Sequence, residues 1–223
     1  MSFNIKTTNK VDEAASFVAL SVLDKLNLDK KVLFFVAGGS AIPIAVKIAE
    51  ILNNSSSNNL KNLTVTLTDE RYGDIGHTDS NYFQLFEKGF NLRDAKIIPV
   101  LIGEDKDTTV QKFNEILKNE LDLSDYKIGL FGIGTDGHTA GILPDSVVVD
   151  CQDLVCGYDT PKFSRITITP KTIEKLDEAI VWAQGEDKWE VIKNLSEDVD
   201  IKKQPAQILK KVPLLTVFTN IKF

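Results

Sequence analysis

Val32-Leu33-Phe34-Phe35-Val36-Ala37, closed by Gly38-Gly39-Ser40, is the stretch from which the rest of the chain is best read. Six apolar residues without polar alternation predict a strand buried on both faces, the kind that a parallel sheet covered by helices requires. On its amino-terminal side, Val11, Ala14, Ala15, Val18 and Val22 recur at helical spacing and predict a helix over 11–26. On its other side a helix over 41–52 follows. The polar run Asn53-Asn54-Ser55-Ser56-Ser57-Asn58-Asn59 then reads as a surface connection. The same alternation recurs as strand 63–68 then helix 80–90, strand 97–102 then helix 108–121, and strand 127–133 running into a glycine-rich turn. Later strands are predicted over 165–169, 179–184 and 214–219, with helices over 171–176 and 188–195. This pattern predicts a Rossmann-like α/β fold: a mostly parallel central sheet with helices on both faces, in a single domain over 1–223. Ligands of such sheets bind at the carboxyl ends of the strands.

Composition narrows the function. The chain has 223 residues, 43% hydrophobic and 26% charged, with a net charge of −6, the make-up of a globular protein and not of a disordered one. Sequence-independent nucleic-acid affinity needs many Lys and Arg contacts to phosphate, so no nucleic-acid partner is expected. A small anion remains compatible, given a local positive pocket. No apolar run approaches the ~20 residues that span a bilayer, and residues 1–15 lack the apolar core of a signal peptide. No membrane partner is expected, and the expected location is the cytoplasm. Two histidines exclude a histidine-rich metal site, and Cys151 and Cys156 have neither the redox nor the zinc spacing. They read as ordinary thiols, and no metal is expected.

The chemistry should lie just after the strands. Gly38-Gly39-Ser40 leads directly into a helix, where a side-chain-free backbone and unpaired N–H groups suit an anion. After the strand ending at Thr68 come Asp69-Glu70-Arg71-Tyr72, a charged and aromatic run hard to explain as core packing, then His77 and Asp79-Ser80-Asn81-Tyr82, with a helix cap at Asp79 or Ser80. The third turn is Gly132-Ile133-Gly134-Thr135-Asp136-Gly137-His138-Thr139-Ala140-Gly141. Its carboxylate and imidazole, two residues apart, are the minimum for general-base chemistry.

These blocks, continued by Arg165-Ile166-Thr167-Ile168-Thr169, by Gly185-x-x-Lys188 and by Pro205-Ala206, run in an order that resembles the glucosamine-6-phosphate isomerase/6-phosphogluconolactonase superfamily over almost the whole chain. The resemblance implies that Gly38, Gly39, Ser40, Arg165 and Lys188 hold a substrate phosphate. It also implies that His138 is the base that activates water, that Asp136 assists it and that Arg71 faces the substrate. Asp69 matches an acid that takes a substrate proton in the deaminases. Without the resemblance, Arg165 and Lys188 read as a surface arginine on an edge strand and a solvated helix lysine. His77 is a pocket-wall candidate, and Arg93 is expected at the surface.

Two departures from the family pattern stand out. Ala41-Ile42 replace the usual Thr-Pro after Gly-Gly-Ser, with Pro43 one place later, and Gly141 replaces a serine. The deaminases carry Asn-Glu-Pro after their Asp-Gly-His, whereas Leu143 precedes Pro144 here. Leucine transfers no proton, so ring-opening isomerisation lacks a group and lactone hydrolysis lacks none. The expected reaction is therefore hydrolysis of 6-phospho-D-glucono-1,5-lactone in the oxidative pentose phosphate pathway, with no cofactor, by a monomer or weak homodimer. The alternatives are a deaminase/isomerase, a non-catalytic sugar-phosphate binder, and a serine hydrolase using Ser40 or Ser80, neither of which sits in a nucleophile elbow.

Overall fold

The computed structural model describes residues 3–55 and 59–221. In chain order its elements are β1 (Asn4–Thr7), α1 (Val11–Leu26), β2 (Val32–Val36), α2 (Ile42–Asn53), β3 (Leu63–Leu67), β4 (Asp69–Arg71), α3 (Asn81–Glu87) and β5 (Lys96–Ile97). They continue as α4 (Lys106–Leu123), β6 (Tyr126–Gly132), β7 (Val155–Asp159), β8 (Ser164–Ile168), α5 (Pro170–Ile173), β9 (Glu178–Trp182), α6 (Trp189–Lys193) and β10 (Leu214–Thr219). Residues 56–58 of the polar connection lie outside the described residues.

Seven strands form one parallel sheet in the order β1-β10-β9-β6-β2-β3-β5. β2 lies inside it between β6 and β3, and all five of its residues are buried. That is why its sequence shows no alternation. Phe34 and Phe35 are fully buried on opposite faces of the strand, each contributing about 1.5–3 kcal/mol of hydrophobic stabilisation. α1 buries Ala14, Ala15, Val18, Ala19, Val22 and Leu26, a small-residue stripe that lets the helix approach its neighbours closely. Among the described residues, no helix is long and apolar enough to cross a membrane.

The order in which strands are added reverses at β2. From it the sheet runs to β3 and β5 on one side and to β6, β9 and β10 on the other. The crevice beyond the carboxyl ends of β2 and β6 is therefore the switch point at which such sheets bind ligands.

Several expectations are corrected. The strand predicted over 97–102 is reduced to the two-residue edge β5: the ladder ends with Ile98 N–H donating to Val65 O at 2.8 Å, and the Ile98 carbonyl accepts instead from the Thr66 hydroxyl at 3.1 Å. The strand predicted over 165–169 lies outside the parallel sheet. As β8 it pairs antiparallel with both β4 and β7 in a separate three-stranded sheet. The sequence reading assigned no strand to β4 or β7, the one a charged tripeptide and the other interrupted by Gly157, nor to the exposed β1. α3 stops short of Phe90 because Gly89 adopts φ 94° and turns the chain. The helix expected over 188–195 is α6 flanked by 3-10 turns, and that over 171–176 is the single turn α5.

Candidate active site

Four neighbouring strands of the parallel sheet deliver their carboxyl-terminal loops to one crevice, and the small sheet closes its side. The loop after β2 contributes Gly38, Gly39 and Ser40, the segment after β3 contributes Asp69 and Arg71, the loop after β6 contributes Gly132, Gly134 and His138, and the turn after β9 contributes Lys188. Arg165 comes from β8. All of these line a cavity of about 210 Å³, together with Asn81 and Ala140. That is below the roughly 300–1,000 Å³ typical of drug-sized ligands and suits a small metabolite. Of the nine residues given catalytic or phosphate-binding roles from the sequence, Asp136 alone does not line the cavity, because it stands behind His138.

The Gly38-Gly39-Ser40 turn is built by close approach. A Cβ at Gly38 would lie 2.1 Å from Asn81 Oδ1, and Gly39 has φ 62°. A 3-10 turn over Gly39–Ala41 runs straight into α2, so the cavity-lining Gly38, Gly39 and Ser40 stand at a helix start, the positive end of its dipole. Pro43 sits in the first turn of α2, where its missing N–H costs nothing, which explains how the proline can stand one place later than in the family pattern. A Cβ at Gly141 would lie 2.9 Å from Thr167 Cβ and 3.0 Å from Asp69 Cβ, so the departure there lets the loop after β6 press against the β4–β8 pair, where Gly141 N–H donates to Thr167 Oγ1 at 3.0 Å.

His138 Nδ1 lies 2.6 Å from Asp136 Oδ1, and the His138 backbone N–H donates to the same oxygen at 3.1 Å. A Cβ at Gly134 would stand 2.1 Å from His138 Nδ1, so the ring occupies space that only glycine leaves free. Burial pushes the Asp136 carboxyl up, but the His138 backbone N–H, charge and imidazole outweigh it, and the group is held below the ordinary carboxylate range. An ionised Asp136 only accepts, so Nδ1 carries the proton of this bond, and in the neutral ring the lone pair lies on Nε2.

The cavity wall carries Arg71, Arg165 and Lys188 against a single carboxylate, Asp69, a net of two positive charges on a chain of charge −6. Asp69 is paired with Arg165, Nη1 to Oδ2 at 3.3 Å, and both side chains are largely buried. Arg71 donates to the Asp79 carbonyl at 2.8 Å, and neither it nor Lys188 has a carboxylate partner among the described residues. The Nε atoms of Arg71 and Arg165 and the Oδ1 of Asn81 are buried without a hydrogen-bond partner. Three cations around one carboxylate leave a positive surplus that fits an anionic ligand.

Two residues given no role by the sequence organise this wall. Asn81 Nδ2 donates to the Asp69 carbonyl at 2.9 Å, tying α3 to β4. Glu70 is fully buried, contrary to the expectation that the charged run lies outside the core. Its carboxylate accepts from the backbone N–H groups of Arg71, Asn81 and Tyr82 and from the Ser80 hydroxyl. Ser80 caps α3 as expected, accepting from Phe83 N–H. Bound to Glu70 and 1% exposed, it is no nucleophile. His77 does not line the cavity: its ring packs over Gly73, and Nε2 lies 2.9 Å from the Arg71 carbonyl. Arg93 is exposed as expected.

Among the described residues no three His, Cys, Asp or Glu side chains gather as a metal site would require. Cys151 and Cys156 are free, and burial, with Cys151 beside it, pushes the Cys156 thiol up to about 12. A larger groove of about 640 Å³ runs along Leu195–Lys211 but contains no histidine and none of the nine residues.

A parallel sheet with a cationic cavity and a carboxylate–imidazole pair at its switch point is the frame of an α/β enzyme for a small anion. The family of glucosamine-6-phosphate isomerases/6-phosphogluconolactonase matches residues 6–217, and the chain belongs to it. It is similar to the 6-phosphogluconolactonase of Borreliella burgdorferi, 30% identical over 170 residues spanning 70% of this chain and 71% of that protein. In fold it is similar to the crystal structure of a 6-phosphogluconolactonase from Shewanella baltica, with TM-score 0.82, 21% identity and coverage of 98% of this chain and 97% of that one. It is also similar to a monomeric glucosamine-6-phosphate deaminase, with TM-score 0.81, 17% identity and coverage of 97% of each chain. The fold is thus common to both activities.

Proposed function

We propose that the chain hydrolyses 6-phospho-D-glucono-1,5-lactone to 6-phospho-D-gluconate. The observation that carries this reading is the His138–Asp136 pair opening on a cavity with two net positive charges. The similarity to curated 6-phosphogluconolactonases supports it. Hydrolysis needs one base for water and donors for a tetrahedral oxyanion. Isomerisation would need a further proton-transferring group, and the segment after His138 offers Leu143 before Pro144.

In this mechanism Arg165, Lys188 and the N–H groups of the Gly38-Gly39-Ser40 turn hold the phosphate. His138 Nε2 takes a proton from water while Asp136 fixes the ring and stabilises the imidazolium. The hydroxide attacks C1, backbone N–H groups stabilise the oxyanion, and the ring C–O bond breaks as the His138 imidazolium returns its proton to the leaving oxygen. Asp69 holds Arg165 in place. The enzyme works in the cytoplasm as one domain, a monomer or weak homodimer, without metal or organic cofactor.

A coupled assay with freshly generated lactone tests the reading. Turnover no faster than spontaneous hydrolysis would overturn it, as would release of ammonia from glucosamine 6-phosphate at a higher kcat/KM. Arg165→Ala is expected to raise KM about 10- to 100-fold, the loss of charge-assisted hydrogen bonds to phosphate, with a smaller change in kcat. Gly134→Ala should push the imidazole off its position and lower kcat about 100-fold, measured in the same assay.

A further inference from the structure

We propose that Phe163 is a positioning residue that holds Arg71 and Arg165 together as a two-guanidinium clamp on the substrate phosphate. The inference rests on the phosphate reading of the cavity given above.

Arg71 and Arg165 stand directly opposite each other in the antiparallel β4–β8 register, so both project from the same face of the small sheet. Like charges in that relation repel and destabilise the pairing. Asp69 offsets only one of them, through its 3.3 Å contact with Arg165. The aromatic ring of Phe163 serves both: the Arg71 Cζ lies 5.1 Å from its centroid and the Arg165 Cζ lies 5.5 Å from it. Each distance is within the ~6 Å over which a ring face attracts a cation. Lys162 Nζ, 5.0 Å from the same centroid, adds a third cation at the rim.

The turn that carries the ring is itself braced. Phe163 closes the β7–β8 hairpin, where Thr160 N–H donates to the Phe163 carbonyl at 2.8 Å and Phe163 N–H donates to Thr160 Oγ1 at 3.0 Å. The Thr160 hydroxyl donates to the same carbonyl at 2.8 Å. A braced turn thus sets one ring against two guanidinium groups, both lining the cavity and both with a buried Nε lacking a partner. Two adjacent guanidinium groups match the oxygens of one phosphate group. His138 and Asp136 belong to the loop after β6, outside this arrangement, so the ring acts on binding and not on proton transfer.

The test replaces Phe163 by mono-, di- and trifluorophenylalanine, which drains the negative face of the ring at nearly constant shape. Inorganic phosphate is titrated calorimetrically, and KM and kcat are measured with the lactone. Phosphate affinity should fall stepwise, reaching about tenfold for the trifluoro ring, with KM rising in parallel and kcat unchanged. Phe163→Leu should show the same loss and Phe163→Trp should restore affinity. If the leucine variant does not fold, the fluorinated series carries the readout. A flat phosphate affinity across the series, or a fall in kcat with KM unchanged, overturns the inference. Wild-type protein that follows the series without hydrolysing lactone overturns the proposed activity and leaves Phe163 its role. Lactone hydrolysis with a flat series does the reverse, and wild-type protein that binds no phosphate overturns both.

Discussion

His138→Ala is expected to lower kcat about 10²- to 10⁴-fold, the range of a lost general base, while KM stays close to that of the wild type. The split follows from the geometry. The imidazole presents Nε2 to the cavity and is held from behind by Asp136 at 2.6 Å, whereas the cations that bind phosphate come from β4, β8 and the turn after β9. Asp136→Asn should fall between wild type and His138→Ala, because an amide can donate to Nδ1 and so favours the ring form whose Nε2 carries the proton. The pH profile supplies an independent check. Burial raises the Asp136 carboxyl, but its bonds and charge contact with His138 more than offset this and hold it below the ordinary range. A carboxyl lowered in this way contributes stability above its unfolded value, lost only as pH falls through the lowered one. Half-exposed Asp136 contributes little of it, but the sign means that the carboxylate stays charged on mild acidification. The acid limb of kcat/KM should therefore follow one proton, with unit slope. Full activity in His138→Ala would move the base to another group, and a limb of slope two would show that Asp136 titrates with it.

What the sequence could reveal depends on how local the cause is. The Val32–Val36 strand writes its burial on both faces into five consecutive residues, and α1 writes its buried stripe into Val18, Val22 and Leu26 at helical spacing, so both were legible. The turns after β2 and β6 were legible as well, since glycines after a buried strand mark backbone that must approach something closely. The small sheet was not legible. Its edge β4 is Asp69-Glu70-Arg71, and a strand whose fully buried member is a glutamate defeats any hydrophobic pattern. Arg165 could be assigned a role only through resemblance, because its importance comes from pairing across β4–β8 with a residue 94 positions earlier. Asn81 and Glu70 lay inside a recognised block without a function, since their partners are backbone groups, which carry no residue-specific signal.

Glu70→Gln is expected to destabilise the fold by about 2–4 kcal/mol and Glu70→Ala by about 3–5 kcal/mol, the cost of orphaning buried donors. In the native chain, Oε1 accepts from Arg71 N–H at 2.7 Å and Asn81 N–H at 2.6 Å, while Oε2 accepts from Tyr82 N–H and the Ser80 hydroxyl, each at 2.9 Å. An amide replaces one acceptor by a donor, and in either orientation its NH₂ meets at least one backbone N–H. The conservative substitution is therefore costly. Burial pushes the Glu70 carboxyl up, and the four donors pull it down without fully offsetting that burial. Even so, they explain how a carboxyl group can occupy a fully buried position at all. Urea titration should show a lower midpoint at unchanged slope, and Tm should fall by roughly 10 °C for a chain of this size. The same variants should also lose kcat/KM well below their Tm, because Glu70 joins β4 to the start of α3 and so sets both Arg71 and Asn81 at the cavity wall. His138→Ala, by contrast, should lose turnover without losing stability. If Glu70→Gln keeps the wild-type midpoint, water has replaced the lost acceptor, and the carboxylate is not what holds the 70–82 segment in place.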